Sequence, residues 1–169
     1  MTKSTHTHNV RKETEKIVKR RKITIGFHHG VLNPLPPTWD FPKAIPIIHL
    51  LNAWLIGDLQ HNIPPFHVLQ PIHVKHLKSG RQNLSKMKQV MTKIEELGKK
   101  ENVWHSDVKH WTGQRVTVLW SSIWDELHPY LGDKTGNKVK SRDGQISWRT
   151  CYNKMQGAGL FKGNKMRKK

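Results

Sequence analysis

Six of the seven tryptophans of this 169-residue chain lie between residues 26 and 132, and that stretch carries almost none of its excess charge. Thirty Lys and Arg stand against twelve Asp and Glu, a formal net charge of +18. Residues 1–25 hold +6 of it, residues 26–132 hold +3 and residues 133–169 hold +9. Large aromatic side chains bury about 150–250 Å² each, so six tryptophans in one stretch suffice to nucleate a core. Apolar mass and charge are separated along the chain. The expected organisation is a basic disordered or helical tail (1–25) and a Trp-rich α-helical domain (26–132). A basic connector with a final helix (133–161) and a second basic tail (162–169) follow.

Mean hydropathy is −0.70, and no run approaches the roughly 18 apolar residues of a membrane-spanning helix. No basic segment followed by an apolar core stands near Met1, so no secretory signal is expected. Cys151 is the single cysteine, which excludes an internal disulfide and a Cys-based zinc site and suits a reducing compartment. Polybasic ends serve nucleic-acid phosphates, an acidic membrane surface or nuclear import. The membrane reading needs an apolar helix face, and VRKETEKIVKRRK offers only Val10, Ile17 and Val18. KRRK (Lys19 to Lys22) and KMRKK (Lys165 to Lys169) suit nuclear import, so the expected location is the nucleus.

Residues 23–41 are broken by Gly26, Gly30, Pro34, Pro36 and Pro37 and read as an irregular arm, with Lys22 to Phe27 as a short strand-like piece. Ile47, Leu50, Leu51, Trp54 and Leu55 keep helical spacing and predict a helix over 45–56, with Pro46 in its first turn and Gly57 at its C-terminal cap. Pro64 and Pro65 open a short turn or helix carrying Phe66, Val68 and Leu69, which Pro71 separates from IHVKHLKS. A helix over 84–97 follows, capped by Asn83 or Ser85 and ended by Gly98. Its inner stripe is Leu84, Met87, Val90, Met91, Ile94 and Leu97. The clearest helix starts at a Thr112 cap, buries Val116, Leu119, Trp120, Ile123, Trp124 and Leu127, and stops at Pro129. A final helix over 145–156 carries Trp148, Cys151, Tyr152 and Met155, with Leu160 and Phe161 folding back on Trp148 and Tyr152. The expected class is all-α: a small helix-turn-helix-like domain of about five helices with disordered basic tails.

Twelve histidines raise a metal site, the densest group being His61, His67, His73 and His76. Catalytic zinc wants three ligands, often with a carboxylate nearby. Asp58 is the only acid between Asp40 and Glu95, and neither HExxH nor a finger spacing occurs, so no metal and no cofactor is expected. Phosphate-loop, dinucleotide-loop and GxSxG motifs are absent. Asp40, Asp58, Asp107, Asp125 and Glu126 are the carboxylates open to two-metal nuclease chemistry, but acids on a helix more often face water. No enzyme is expected and no catalytic residue is assigned.

Binding DNA requires less: a helix that presents Lys, Arg, Asn or Gln to a groove, with flanking cations on phosphates. Two helices qualify. Helix 84–97 has Lys86, Gln89 and Lys93 in line, with Lys88 beside them and Arg81 and Gln82 before them. Helix 145–156 has Gln145, Arg149, Asn153 and Lys154, preceded by Lys138, Lys140 and Arg142. Either alone reads more simply as a solvated face. Together, joined to basic tails, they favour duplex DNA as the partner. RNA or single-stranded nucleic acid is the alternative if exposed tryptophans stack on bases, and a nuclease- or transposase-related fragment is another. The last helix with its Gly-Leu-Phe turn and basic tail is similar in outline to a winged helix.

Trp39-Asp40-Phe41-Pro42, the run Leu50 to Gly57 around Trp54, Pro64-Pro65-Phe66-His67-Val68-Leu69, and Ser85 to Glu95 ending in Ile94-Glu95 form a further pattern. In this order residues 35–97 resemble the DNA-binding domain of the fungal glycolytic-gene activator family, found also on some fungal mobile elements. The chain departs from that pattern at Met87, where the family carries an arginine, and at Asn52-Ala53, where an acid usually precedes the tryptophan. The resemblance implies sequence-specific DNA binding by a helical domain.

Overall fold

The computed structural model describes residues 24–26, 32–35, 38–58, 61, 63–131 and 142–161. The expected tails, beyond Thr24 and Ile25, and most of the connector lie outside these residues. The described chain is mostly helical, with four α-helices: α1 (Ile47–Leu55), α2 (Gly80–Lys100), α3 (Gly113–Leu131) and α4 (Trp148–Gly157). The arm expected to be irregular holds two three-residue strands, β1 (Thr24–Gly26) and β2 (Leu32–Pro34), paired antiparallel with Ile25 opposite Asn33. The segment after Pro64-Pro65 is one 3₁₀ turn, Phe66–Val68. With prolines at 65 and 71 it is too short for the costly nucleation of an α-helix, and four α-helices stand among the described residues.

α1 buries Ile47, Ile48, Leu50, Leu51, Trp54 and Leu55. The inner stripes expected for α2 and α3 are buried too, and Trp148, Cys151, Tyr152 and Met155 of α4 share the same core. α2, α3 and α4 pack on one another, and α1 packs on α3 and α4. The final helix is therefore part of the Trp-rich core rather than an appendage to it.

The first turn of a helix leaves backbone N–H groups without intrahelical partners. α1 begins after Pro46, which has no side chain to cap them. Chain from near the C-terminus does so instead: Ile47 N–H donates to the Ile146 carbonyl at 2.8 Å and Ile48 N–H to that of Gly144 at 3.1 Å. Trp148 N–H returns a bond to the Ile45 carbonyl at 3.1 Å. Ser147 pairs with Pro46 in this bridge, and α4 starts only at Trp148, with Ser147 Oγ accepting the Thr150 N–H at 3.2 Å.

Three boundaries differ from the sequence expectation because packing overrides local signals. α2 starts at Gly80 behind Ser79, with Asn83 buried inside it, and does not end at Gly98. Gly98 is a packing residue: a Cβ there would sit 2.7 Å from Leu119 Cδ1. α3 starts as expected, Thr112 Oγ1 accepting the Arg115 N–H at 3.3 Å. It then runs through Pro129 to Leu131. Proline in a last turn removes one donor, and the end is held because Leu131 is fully buried and Lys154 Nζ donates to its carbonyl at 3.2 Å. Gly57 follows α1 with φ +83°, the left-handed residue that a helix end favours.

Candidate nucleic-acid interface

α2 carries six of the ten contact residues expected from the sequence. Its apolar stripe is consumed by the core, so its polar stripe must face out. Arg81, Gln82 and Lys88 are exposed, and Lys86, Gln89 and Lys93 are half-buried. Arg81, Ser85, Lys88, Gln89, Thr92, Lys93 and the acid Glu96 line one shallow groove of about 360 Å³. Its apolar side is made by Leu84, Pro71, Leu160 and Phe161. Sequence reasoning missed Ser85, Thr92 and these apolar walls, because Pro71 and Phe161 reach the groove only through tertiary packing.

Two of the aligned tips are already engaged. Lys86 Nζ lies 5.4 Å from the centre of the Tyr152 ring, which stacks on Phe161 at 5.3 Å and 23°. Phe161 thus folds back on Tyr152 as its spacing suggested. A cation over an aromatic face contributes about 0.5–1 kcal/mol at an exposed site, so Lys86 ties α2 to α4 and the tip behind it. Lys93 Nζ pairs with Glu96 Oε2 at 3.3 Å. Further along, Lys99 pairs with Glu95 at 2.6 Å and Lys100 with Glu126, and the Glu126 carboxylate raises the Lys100 ammonium above its ordinary pKa. No acid occurs from residue 59 to residue 94, so the unneutralised part of α2 is its first three turns.

α4 contributes unevenly. Arg149 and Asn153 are exposed, and the Arg149 guanidinium lies 5.4 Å from the centre of the Trp148 ring. Arg149, Tyr152 and Gln156 share one stripe of α4. Gln145 is exposed but not helical, since the bridge to α1 occupies its neighbours. Arg142 does not join the α2 face. Its carbonyl accepts the Trp120 indole N–H at 2.9 Å, and its side chain lines a separate cleft with Trp124, Asp125, His128 and Asp143.

The other candidates serve the fold. No tryptophan is exposed: Trp39 and Trp104 are half-buried and the remaining five buried. Trp111, Trp120 and Trp148 spend their indole N–H groups on backbone carbonyls of His105, Arg142 and Pro42. The histidine group is dispersed, with His61 on Asp58 at 2.7 Å, His67 on the Trp54 carbonyl at 2.7 Å and His73 Nδ1 accepting the Gln70 N–H at 3.0 Å. Burial lowers the His73 pKa. Among the described residues no group of three or more His, Cys, Asp or Glu is placed to hold a metal ion. Cys151 is fully buried, its pKa pushed up to about 12 by desolvation. No helix among the described residues is long and apolar enough to cross a membrane.

No protein-family model matches this chain, and no curated protein and no solved structure matches it significantly. The likeness of residues 35–97 to the fungal activator family therefore rests on the residues quoted above alone.

Proposed function

We propose that this chain binds duplex DNA by laying the outer face of α2 in the major groove, as the recognition helix of a helix-turn-helix-like protein does. Its setting is a nuclear transcription regulator or the DNA-binding module of a mobile element, without chemistry of its own. The observation that carries this reading is the polarity of α2. One side is spent on the core, and the other gathers Arg81, Lys88, Gln89, Ser85 and Thr92 in one groove whose one acid, Glu96, pairs with Lys93. A helix about 10–12 Å across matches a major groove about 12 Å wide.

In this reading Arg81 and Gln89 probe base edges, the first suited to guanine and the second to adenine. Lys88, Gln82, Arg149 and Asn153 approach backbone oxygens. Lys86 and Lys93, held by Tyr152 and Glu96, flank the face rather than enter the groove. The polybasic ends add sequence-independent attraction for phosphates. Stacking of unpaired bases on exposed tryptophan, the route that would favour single strands, has no exposed indole to use.

Selection of bound molecules from random duplex DNA tests the proposal. The expected result is enrichment of a short common site, bound with log K falling against log[salt] at a slope near −5 if about six phosphates are neutralised. An affinity that is flat between low and physiological salt, or equal enrichment of all sequences, contradicts it.

A further inference from the structure

The turn between Pro71 and Ser79, absent from the contacts expected on sequence, has a regularity of its own. Its backbone closes in three separate i, i+3 turns: His73 N–H to the Gln70 carbonyl (2.9 Å), Leu77 N–H to Val74 (3.1 Å) and Gly80 N–H to Leu77 (3.2 Å). Burial recurs every third residue along the second half of it. Val74 and Gly80 are buried with Leu77 half-buried between them, whereas Ile72, Lys75, Lys78 and Arg81 are all exposed. Lys75 and Lys78 thus stand open to solvent on the turn that leads into α2. On α2 itself the exposed side runs from Arg81 through Ser85 to Lys88, each a helical turn further on.

The turn is also held tightly against the helix it introduces. A Cβ on Gly80 would lie 2.3 Å from the Val74 carbonyl oxygen and 2.8 Å from Leu77 Cβ. That close approach fixes the turn backbone on the start of α2, and with it the origins of the Lys75 and Lys78 side chains. Pro71, at the head of the turn, lines the α2 groove together with Arg81 and Lys88, so the turn borders the face that α2 presents.

We infer that Lys75 and Lys78 form, with Lys88, a pre-set cationic edge that grips the sugar-phosphate backbone of a duplex and fixes the register at which α2 meets the bases. This rests on the α2 reading and extends it, assigning backbone contacts to a turn that carries no base-reading residue. The acid-free stretch sets this edge apart from the other basic surfaces, since the later lysines of α2 are paired with glutamates.

The test measures full-length protein on its selected duplex and on a scrambled duplex, across salt concentration. It compares wild type, Lys75→Gln/Lys78→Gln, and Lys43→Gln/Lys109→Gln, the last removing equal charge from other exposed positions. Circular dichroism and thermal melting verify that both variants remain folded. The expected result is a salt slope shallower by about 2 for the Lys75/Lys78 variant, weaker binding by the same factor on both duplexes, and a smaller change for the Lys43/Lys109 variant. Equal effects of the two variants, or a slope unchanged by Lys75→Gln/Lys78→Gln, overturn the inference and leave the α2 reading standing. A changed sequence preference also overturns it, by moving these lysines onto bases. Wild type that binds no duplex overturns both.

Discussion

Trp148→Ala is expected to cost about 4 kcal/mol or more, a large share of the roughly 5–15 kcal/mol that holds a domain of this size. Trp148 has no exposed surface, and its indole N–H donates to the Pro42 carbonyl at 3.1 Å, joining chain 106 residues apart. Truncation opens a cavity at the meeting point of α4 and the segment before α1. It also strands a partly buried carbonyl, which alone costs about 1–3 kcal/mol. The same region supplies the carbonyls of Gly144 and Ile146 to the start of α1, so loosening α4 frees the first turn of that helix. Trp148→Phe separates the two contributions: it keeps most of the ring volume, loses the hydrogen bond, and is expected to cost about 1–3 kcal/mol. Thermal and urea unfolding followed by circular dichroism measure both. A Trp148→Ala protein as stable as wild type would show that α4 is not integral to the core.

The second large effect concerns binding without folding. Arg81→Ala and Gln89→Ala remove the two side chains of the α2 groove best suited to base edges, and each is expected to weaken binding to the selected site by about 1–3 kcal/mol, roughly 5- to 150-fold. Arg81 is exposed and Gln89 half-buried, both outside the core stripe, so melting temperatures should change little. The loss should be greater on the selected duplex than on a scrambled one, because base contacts carry the specificity and phosphate contacts do not. Fluorescence anisotropy on both duplexes gives the ratio. If the ratio is unchanged in the double variant, the base-reading residues lie elsewhere on the molecule.

Much of the core was legible because helical burial writes a 3.6-residue period into the chain. Leu84, Met87, Val90, Met91, Ile94 and Leu97, and the Val116 to Leu127 set, are all buried where the spacing places them. The helix ends were less legible. Glycine and proline are read as stops, but at Gly98 the absent side chain admits Leu119, and at Pro129 the burial of Leu131 and the Lys154 contact outweigh one lost donor. The bridge between residues 45–47 and 144–148 was invisible. It is made of backbone atoms about a hundred residues apart, and backbone pairing leaves no mark on side-chain type.

The candidate surface divides in the same way. The exposed stripe of α2 follows from its buried one, so Arg81, Gln82, Lys88 and Gln89 were readable. What neighbours take from a side chain was not: Tyr152 engages Lys86, Glu96 engages Lys93, and Arg142 is carried to another cleft by its bond to Trp120. Lys75 and Lys78 left a signal that a search for helical periods passes over, because Val74, Leu77 and Gly80 recur every three residues.

Mapping the bound surface tests the central claim most directly. Amide spectra of isotope-labelled protein, recorded during titration with the selected duplex at physiological salt, report which residues meet DNA. The predicted result is that shifts concentrate on residues 72–93, around Phe161 and on the Arg149–Gln156 flank of α4, while the outer face of α3 from Gln114 to Asp125 stays still. Shifts centred on α3, or confined to the basic ends with α2 unmoved, would contradict it.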